Sequence, residues 1–166
     1  MKHRHHWYWL LVLTLLSPCA RAAEIDAAAP DFVLPTLKQE RVQLGALKGK
    51  VVYLDFWASW CGPCRKTFPW MNQMQNKYAK DGLQIVAVNL DESRTQAEEF
   101  LAKIPPEFQI LLDPQRKISK LYRIKGVPMS FVIDRKGVLR AVHLGTAPEH
   151  FVEVEAQLQQ LLGETN

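Results

Sequence analysis

Val51-Val52-Tyr53-Leu54-Asp55-Phe56-Trp57-Ala58-Ser59-Trp60-Cys61-Gly62-Pro63-Cys64 is the stretch on which the reading of this chain turns. Its first seven residues form a near-continuous apolar, β-branched run, the signature of a strand buried on both faces. Phe68, Met71, Met74 or Gln75, and Tyr78 follow at helical spacing, and Asp81-Gly82 ends that helix. A C-x-x-C carried from a strand onto a helix start is the arrangement that reversible dithiol–disulfide chemistry needs. Unpaired N–H groups and the helix dipole favour an anion at the first thiol. The second thiol lies about one turn further on, within bonding reach.

Outward from this stretch the chain alternates strand and helix signals. Upstream, Pro30-Asp31-Phe32-Val33-Leu34-Pro35 and Arg41-Val42-Gln43-Leu44 suggest a small strand pair closed by Lys38-Gln39-Glu40. Lys48 and Lys50 beside Gly49 read as a solvated turn. Downstream, Leu83 to Leu90 is a second buried strand. Ser93-Arg94-Thr95-Gln96 reads as a capping box opening a helix to about Lys103, stopped by Pro105-Pro106. Gln109 to Leu112 is a short strand. Asp113-Pro114 reads as an N-cap with proline at the first helical position, leading a helix to about Tyr122. Met129 to Ile133 and Val138 to Leu144 flank the hairpin turn Asp134-Arg135-Lys136-Gly137. Thr146-Ala147-Pro148-Glu149 reads as a second capping box, before a helix with Phe151, Val154, Leu158 and Leu161 on one stripe. His143 alternates with apolar neighbours and is expected to face solvent. This order predicts an α/β domain, a mixed central sheet with helices on both faces.

At 166 residues the chain is one domain by length. Its formal net charge of +4 is concentrated at the start, where residues 1–22 carry Lys2, Arg4 and Arg21 and no acid. Removing those three from the 21 basic residues leaves 18 against 17 acidic ones, a net charge of +1. No basic patch interleaved with aromatics is present, so nucleic acid is not an expected partner. Lys2 to His6, the ten-residue apolar run Trp7 to Leu16, and Ala20-Arg21-Ala22 read as the three parts of a secretory signal over residues 1–22. The run is too short to span a bilayer alone. Two alternatives stay open: an uncleaved membrane anchor, or a lipoprotein, since Leu16-Ser17-Pro18-Cys19 has the shape of a lipobox with Pro18 where a small flexible residue suits better. With the signal removed, residues 23–166 keep only Cys61 and Cys64, and export brings them to an oxidising compartment. The expected location is therefore the periplasm, with a membrane-anchored or lipidated form facing the periplasm as the alternative.

Phe56 to Cys64 resembles the active-site stretch of thioredoxins, and Gly126-Val127-Pro128 before a strand is similar to their cis-proline loop. An insertion over about Ser93 to Leu112, together with Pro30-Asp31-Phe32 and Phe131-Val132-Ile133-Asp134, is similar to the exported TlpA/ResA-like branch of that family. The likeness covers about residues 28–162. It implies a thioredoxin fold with an N-terminal β-hairpin and the insertion after the second core strand, over a domain of residues 23–166. It also implies a thiol–disulfide oxidoreductase that reduces disulfide-bonded proteins and is fed electrons by a DsbD-type membrane donor; a monomer is expected, although the sequence itself does not address oligomeric state. No cofactor is implied beyond the Cys61–Cys64 disulfide.

The same resemblance assigns roles. Cys61 becomes the more exposed nucleophile and Cys64 the resolving thiol. Asp55, inside an apolar strand, needs a raised pKa to be tolerated. That suits a base taking the Cys64 proton, as the buried acid of thioredoxins does. Many TlpA/ResA-like chains carry Asn there and a Glu three residues after the second cysteine; here that second place is Thr67. Pro128 is expected cis by resemblance, although most X-Pro bonds are trans. The bend would bring the Val127 backbone beside Cys61, to bind a substrate segment as an added strand. Trp60, Gly62 and Pro63 belong to the surface around Cys61. Met129 replaces a usual small polar residue and serves either the groove or the core. Trp57 reads as core, and Trp70 has no assigned role.

Other chemistry fits less well. Structural zinc takes four ligands, and only His143 and His150 remain beyond the two cysteines. Haem attachment needs histidine where Arg65 follows Cys64. A thiol peroxidase of peroxiredoxin type shares the Pro30-Asp31-Phe32 start and the insertion, but asks for a T-x-x-C context where Ala58-Ser59-Trp60 stands. A non-catalytic module binding or assembling polypeptides near Pro128 would not need the two thiols.

Overall fold

The computed structural model describes residues 23–164. The expected leader over residues 1–22, with Cys19, lies outside them. Seven strands and four α-helices follow in the order β1 (Val33–Pro35), β2 (Arg41–Gln43), β3 (Val51–Trp57), α1 (Cys64–Tyr78), β4 (Leu83–Asn89), α2 (Arg94–Lys103), β5 (Gln109–Leu112), α3 (Lys117–Leu121), β6 (Met129–Ile133), β7 (Leu139–Leu144) and α4 (Pro148–Gly163). β1 and β2 form the small antiparallel pair expected upstream, turned at Gln39 with φ of 66°.

The main sheet has the order β5-β4-β3-β6-β7. β3, β4 and β5 are parallel, while β6 and β7 run antiparallel. Parallel neighbours need helical crossovers, and α1 and α2 supply them. The apolar run Val51 to Trp57 forms the central strand, buried at every position.

Side-chain alternation along β3 divides the core in two. Val51, Tyr53 and Trp57 face α1, α2 and α4, with Phe68, Met71, Phe100, Val154 and Leu158. Val52, Leu54 and Phe56 face the β1–β2 pair, the 3-10 turn Leu44–Leu47 and α3, with Phe32, Tyr122 and Phe131. Asp55 has the parity of Tyr53 and Trp57, so the strand aims it at the α1 side. The insertion comprises α2 and β5; α2 covers Trp57 and Phe68 with Phe100, and β5 widens the sheet.

Several local expectations change in detail. Neither capping box forms: Ser93 and Ala147 are the N-caps of α2 and α4, and no side-chain cap bond is made at either. At α2 the first turn closes through the backbone instead, Gln96 N–H donating to the Ser93 carbonyl at 3.2 Å. The helix expected from Asp113 starts only at Lys117, because Arg116 turns the chain at φ of 54°. Asp113 still caps that helix from a distance, accepting from the N–H groups of Lys117, Ile118 and Ser119 at 2.9 to 3.0 Å. His143 does not point to solvent: it lies half-buried toward α4, with Nε2 2.9 Å from Gln157 Oε1. Trp70 gains a role, stacking on Phe151 at 5.1 Å and meeting Tyr53 edge-on.

Candidate active site

The dithiol sits where β3 hands over to α1, at the carboxyl end of a parallel strand, the usual place for chemistry in open α/β sheets. Cys61 and Cys64 are joined as a disulfide, with Cα atoms 5.4 Å apart. Cys64 opens α1, and its N–H points at Cys61 Sγ from 3.2 Å. A helix-start donor aimed at the first sulfur is what stabilises a thiolate there. The expected order of exposure holds narrowly, Cys61 being 3% exposed and Cys64 0%. Access to Cys61 therefore runs through its neighbours, and Trp60, Gly62 and Pro63 are all exposed, Trp60 at 64%.

The turn that presents Cys61 is fixed by a network that motif reading missed. Asp91, buried just after β4, accepts from Ser59 N–H at 3.0 Å, Ser59 Oγ at 3.1 Å and Asn89 Nδ2 at 2.8 Å. Asn89 Oδ1 in turn accepts from Asp91 N–H at 3.1 Å. The signal available in the sequence was polar residues at the carboxyl end of a buried strand next to the C-x-x-C strand. Thr67, in place of an acid, is buried and closes on the helix itself, its hydroxyl donating to the Cys64 carbonyl at 2.9 Å.

Asp55 is 1% exposed, and neither carboxylate oxygen has a hydrogen-bond partner. Burial pushes its carboxyl well above the usual carboxylate range. A solvated edge position is excluded by that burial. Tyr53, two residues earlier on the same face, is also pushed up, by burial first and by the Asp55 charge second. Trp57 Nε1 is a third buried polar atom without a partner on this strand.

Pro128 is buried behind a cis Val127–Pro128 bond, as the resemblance implied. Val127 and Trp60 line one groove of about 400 Å³ beside the dithiol. Met129 is half-buried and packs against the Phe56–Phe131 side of the core, so it serves the core reading. A larger cavity of about 500 Å³ opens at the far end of β3, near Gly45 and Gly137, and contains none of these residues. Among the described residues no cluster of three His, Cys, Asp or Glu side chains could hold a metal ion, and no helix is long and apolar enough to cross a membrane.

Comparison with known proteins agrees with this geometry. The chain is 35% identical over 132 residues to the thiol-disulfide oxidoreductase ResA of Geobacillus kaustophilus, covering 80% of this chain and 76% of that one. It is 36% identical over 124 residues to ResA of Bacillus subtilis, covering 75% and 69%. The crystal structure of a chain assigned as thiol:disulfide interchange protein DsbE from Chlorobium tepidum superposes with a TM-score of 0.82 at 49% identity, over 86% of this chain and all of that one. The pattern of the AhpC/TSA family matches residues 25–142. The chain thus belongs to the AhpC/TSA family, and within it is a thiol–disulfide oxidoreductase of thioredoxin fold.

Proposed function

We propose that this protein reduces disulfides of other proteins in the bacterial cell envelope. The Cys61 thiolate attacks one sulfur of a substrate disulfide and expels the other as a thiol, leaving a mixed disulfide. Asp55 accepts the Cys64 proton, and the Cys64 thiolate attacks Cys61 Sγ. The second substrate sulfur leaves as a thiol, and the Cys61–Cys64 disulfide remains. Two electrons pass from protein to substrate in each cycle. Trp60, Gly62, Pro63 and the Val127 backbone before Pro128 form the surface on which the substrate segment lies, with Met129 behind it.

The observation that carries this reading is the unpartnered carboxylate of Asp55, buried on the α1 side of β3 where a helix-start dithiol is presented. A disulfide used only as a staple has no need of such a base. The bonded pair three residues apart also favours exchange over peroxide reduction, which asks for a lone attacking cysteine. Gly62-Pro63 supports the reducing direction, being the dipeptide of thioredoxin near roughly −270 mV on the disulfide scale.

The rest of the reading follows from export. Residues 1–22 act as the signal, removed before the domain of residues 23–166 works in the periplasm, and a DsbD-type membrane protein re-reduces it as a monomer. The midpoint potential tests the direction. The purified protein is equilibrated in dithiothreitol buffers and followed by tryptophan fluorescence, with Trp57 and Trp60 near the pair. A value below roughly −220 mV is expected of a reductase; one near about −120 mV would mean a disulfide-forming oxidant and overturn the proposal.

A further inference from the structure

The groove beside the dithiol carries a charge pattern that neither the fold nor the exchange chemistry requires. Besides Trp60 and Val127 it is lined by Arg116, Lys120, Arg123 and Lys125, and by no acidic residue. All four cations are exposed. Elsewhere in the domain Lys77 pairs with Glu155, Arg94 with Glu98, and Arg140 with both Asp26 and Asp134. None of the four in the groove has an ion-pair or side-chain hydrogen-bond partner among the described residues. Residues 23–166 have a net charge of only +1, so this is a local concentration of charge, not a reflection of a basic protein. Arg116 and Arg123 bracket α3 at φ of 54° each, a conformation that arginine adopts at a cost.

Unpaired like charges along one wall of a cleft raise the local concentration of the opposite charge and steer its approach. Trp60 offers an apolar face on the same groove, 64% exposed. We infer that this groove selects the substrate: the protein acts preferentially on disulfides flanked by an acidic, extended polypeptide segment, whose carboxylates lie along Arg116, Lys120, Arg123 and Lys125 while the disulfide meets Cys61. The inference rests on the reductase reading above and adds the chemistry of its substrate.

The test uses the reduced protein and three disulfides. Two are peptides of identical length with one internal disulfide, flanked by Asp and Glu in one and by Lys in the other. The third is the small neutral hydroxyethyl disulfide. Oxidation of the protein is followed by tryptophan fluorescence. The acidic peptide is expected to react about tenfold faster than the basic one at low ionic strength, a gap that closes toward parity at 0.5 M salt as screening shortens to a few ångströms. Lys120→Glu with Arg123→Glu should reverse the order of the peptides and leave the rate with hydroxyethyl disulfide unchanged. Equal rates for the two peptides, or a preference unaltered by salt, would overturn the inference while the neutral disulfide still reacts. Salt dependence is read on the unsubstituted protein, so it decides even if the double variant fails to fold. Failure of all three disulfides to oxidise the protein would overturn the reductase reading itself and this inference with it.

Discussion

Asp55, inside β3, and Asp134, just past the end of the neighbouring β6, are both buried carboxylates of the same sheet, and the fold treats them in opposite ways. Asp134, at the β6–β7 turn, accepts from the N–H groups of Lys136 and Val138 at 2.9 Å each and from Arg140 Nε at 2.9 Å. Asp55, on the α1 side of the central strand, accepts nothing. Asp91 and Asp113 follow the Asp134 pattern, each taking three or more bonds. A buried ionised carboxylate without partners costs several kcal/mol, so it normally acquires partners or a proton. This sequence supplies partners to three buried acids and withholds them from the fourth, the one aimed at the dithiol face. The difference separates carboxylates that hold loops in place from one left without partners, the one proposed above to carry a proton.

Asp55→Asn probes that difference most strongly. The amide keeps the shape and removes the proposed base. Attack by Cys61 should be little changed, while release of the mixed disulfide by Cys64 slows about 10²-fold. Acid quenching and mass measurement would show the mixed disulfide accumulating; unchanged turnover would remove Asp55 from the chemistry. Stability gives an independent readout. The folded pKa of Asp55 lies above its unfolded value, so the folded chain binds the proton more tightly. Between those two values stability falls as pH rises, by about 1.4 kcal/mol per pH unit, and the loss is complete above the folded pKa. Asparagine abolishes that slope. The variant should therefore gain on the parent as denaturation is moved from pH 4 to pH 8, and a gap independent of pH would mean that Asp55 is satisfied in solution.

Asp134→Ala should do the converse. It strands two half-buried N–H donors and frees Arg140 from one of its two partners. A loss of about 2 to 3 kcal/mol is expected in chemical denaturation, with the disulfide-exchange rate of the folded protein unchanged. A large loss of rate without loss of stability would break the separation between the two ends of the sheet.

Much of this was legible in the residues. Val51 to Trp57 declared the central strand by its near-continuous apolarity, with Asp55 inside it as the one charged residue, while the face that Asp55 occupies came from the fold. The strand bounds at Gln109 and Leu112 and the helix end at Lys103 also followed from local signals. Besides the Asp91 network and the placing of His143, other features did not. The capping boxes failed because a matching spacing does not oblige the side chain to bond when the backbone closes the turn itself. The start of α3 moved because Asp113 reaches over a non-helical turn to the N–H groups of residues 117–119, a geometry that depends on φ at Arg116. The groove cations lie on α3 and on the loops at either end of it; only the fold shows that they share one wall with Trp60.

Ser59→Ala gives the smallest expected effect and tests how far the satisfied class extends toward the dithiol. Asp91 is held by a backbone N–H, a hydroxyl and an amide, and the substitution deletes the hydroxyl alone. The Asp91 oxygens keep the Ser59 N–H at 3.0 Å and Asn89 Nδ2 at 2.8 Å, so no buried charge is orphaned. One hydrogen bond to a charged group among several should cost about 1 kcal/mol, with exchange rates within about twofold of the parent. Equilibrium denaturation and single-turnover reduction of a peptide disulfide measure the two. If the loss instead reached that of Asp134→Ala, the redundancy around Asp91 would be illusory. The loop that presents Cys61 would then rest on a single hydroxyl, and the acids around the dithiol would have to be regarded as one strained group instead of a satisfied frame around one free carboxylate.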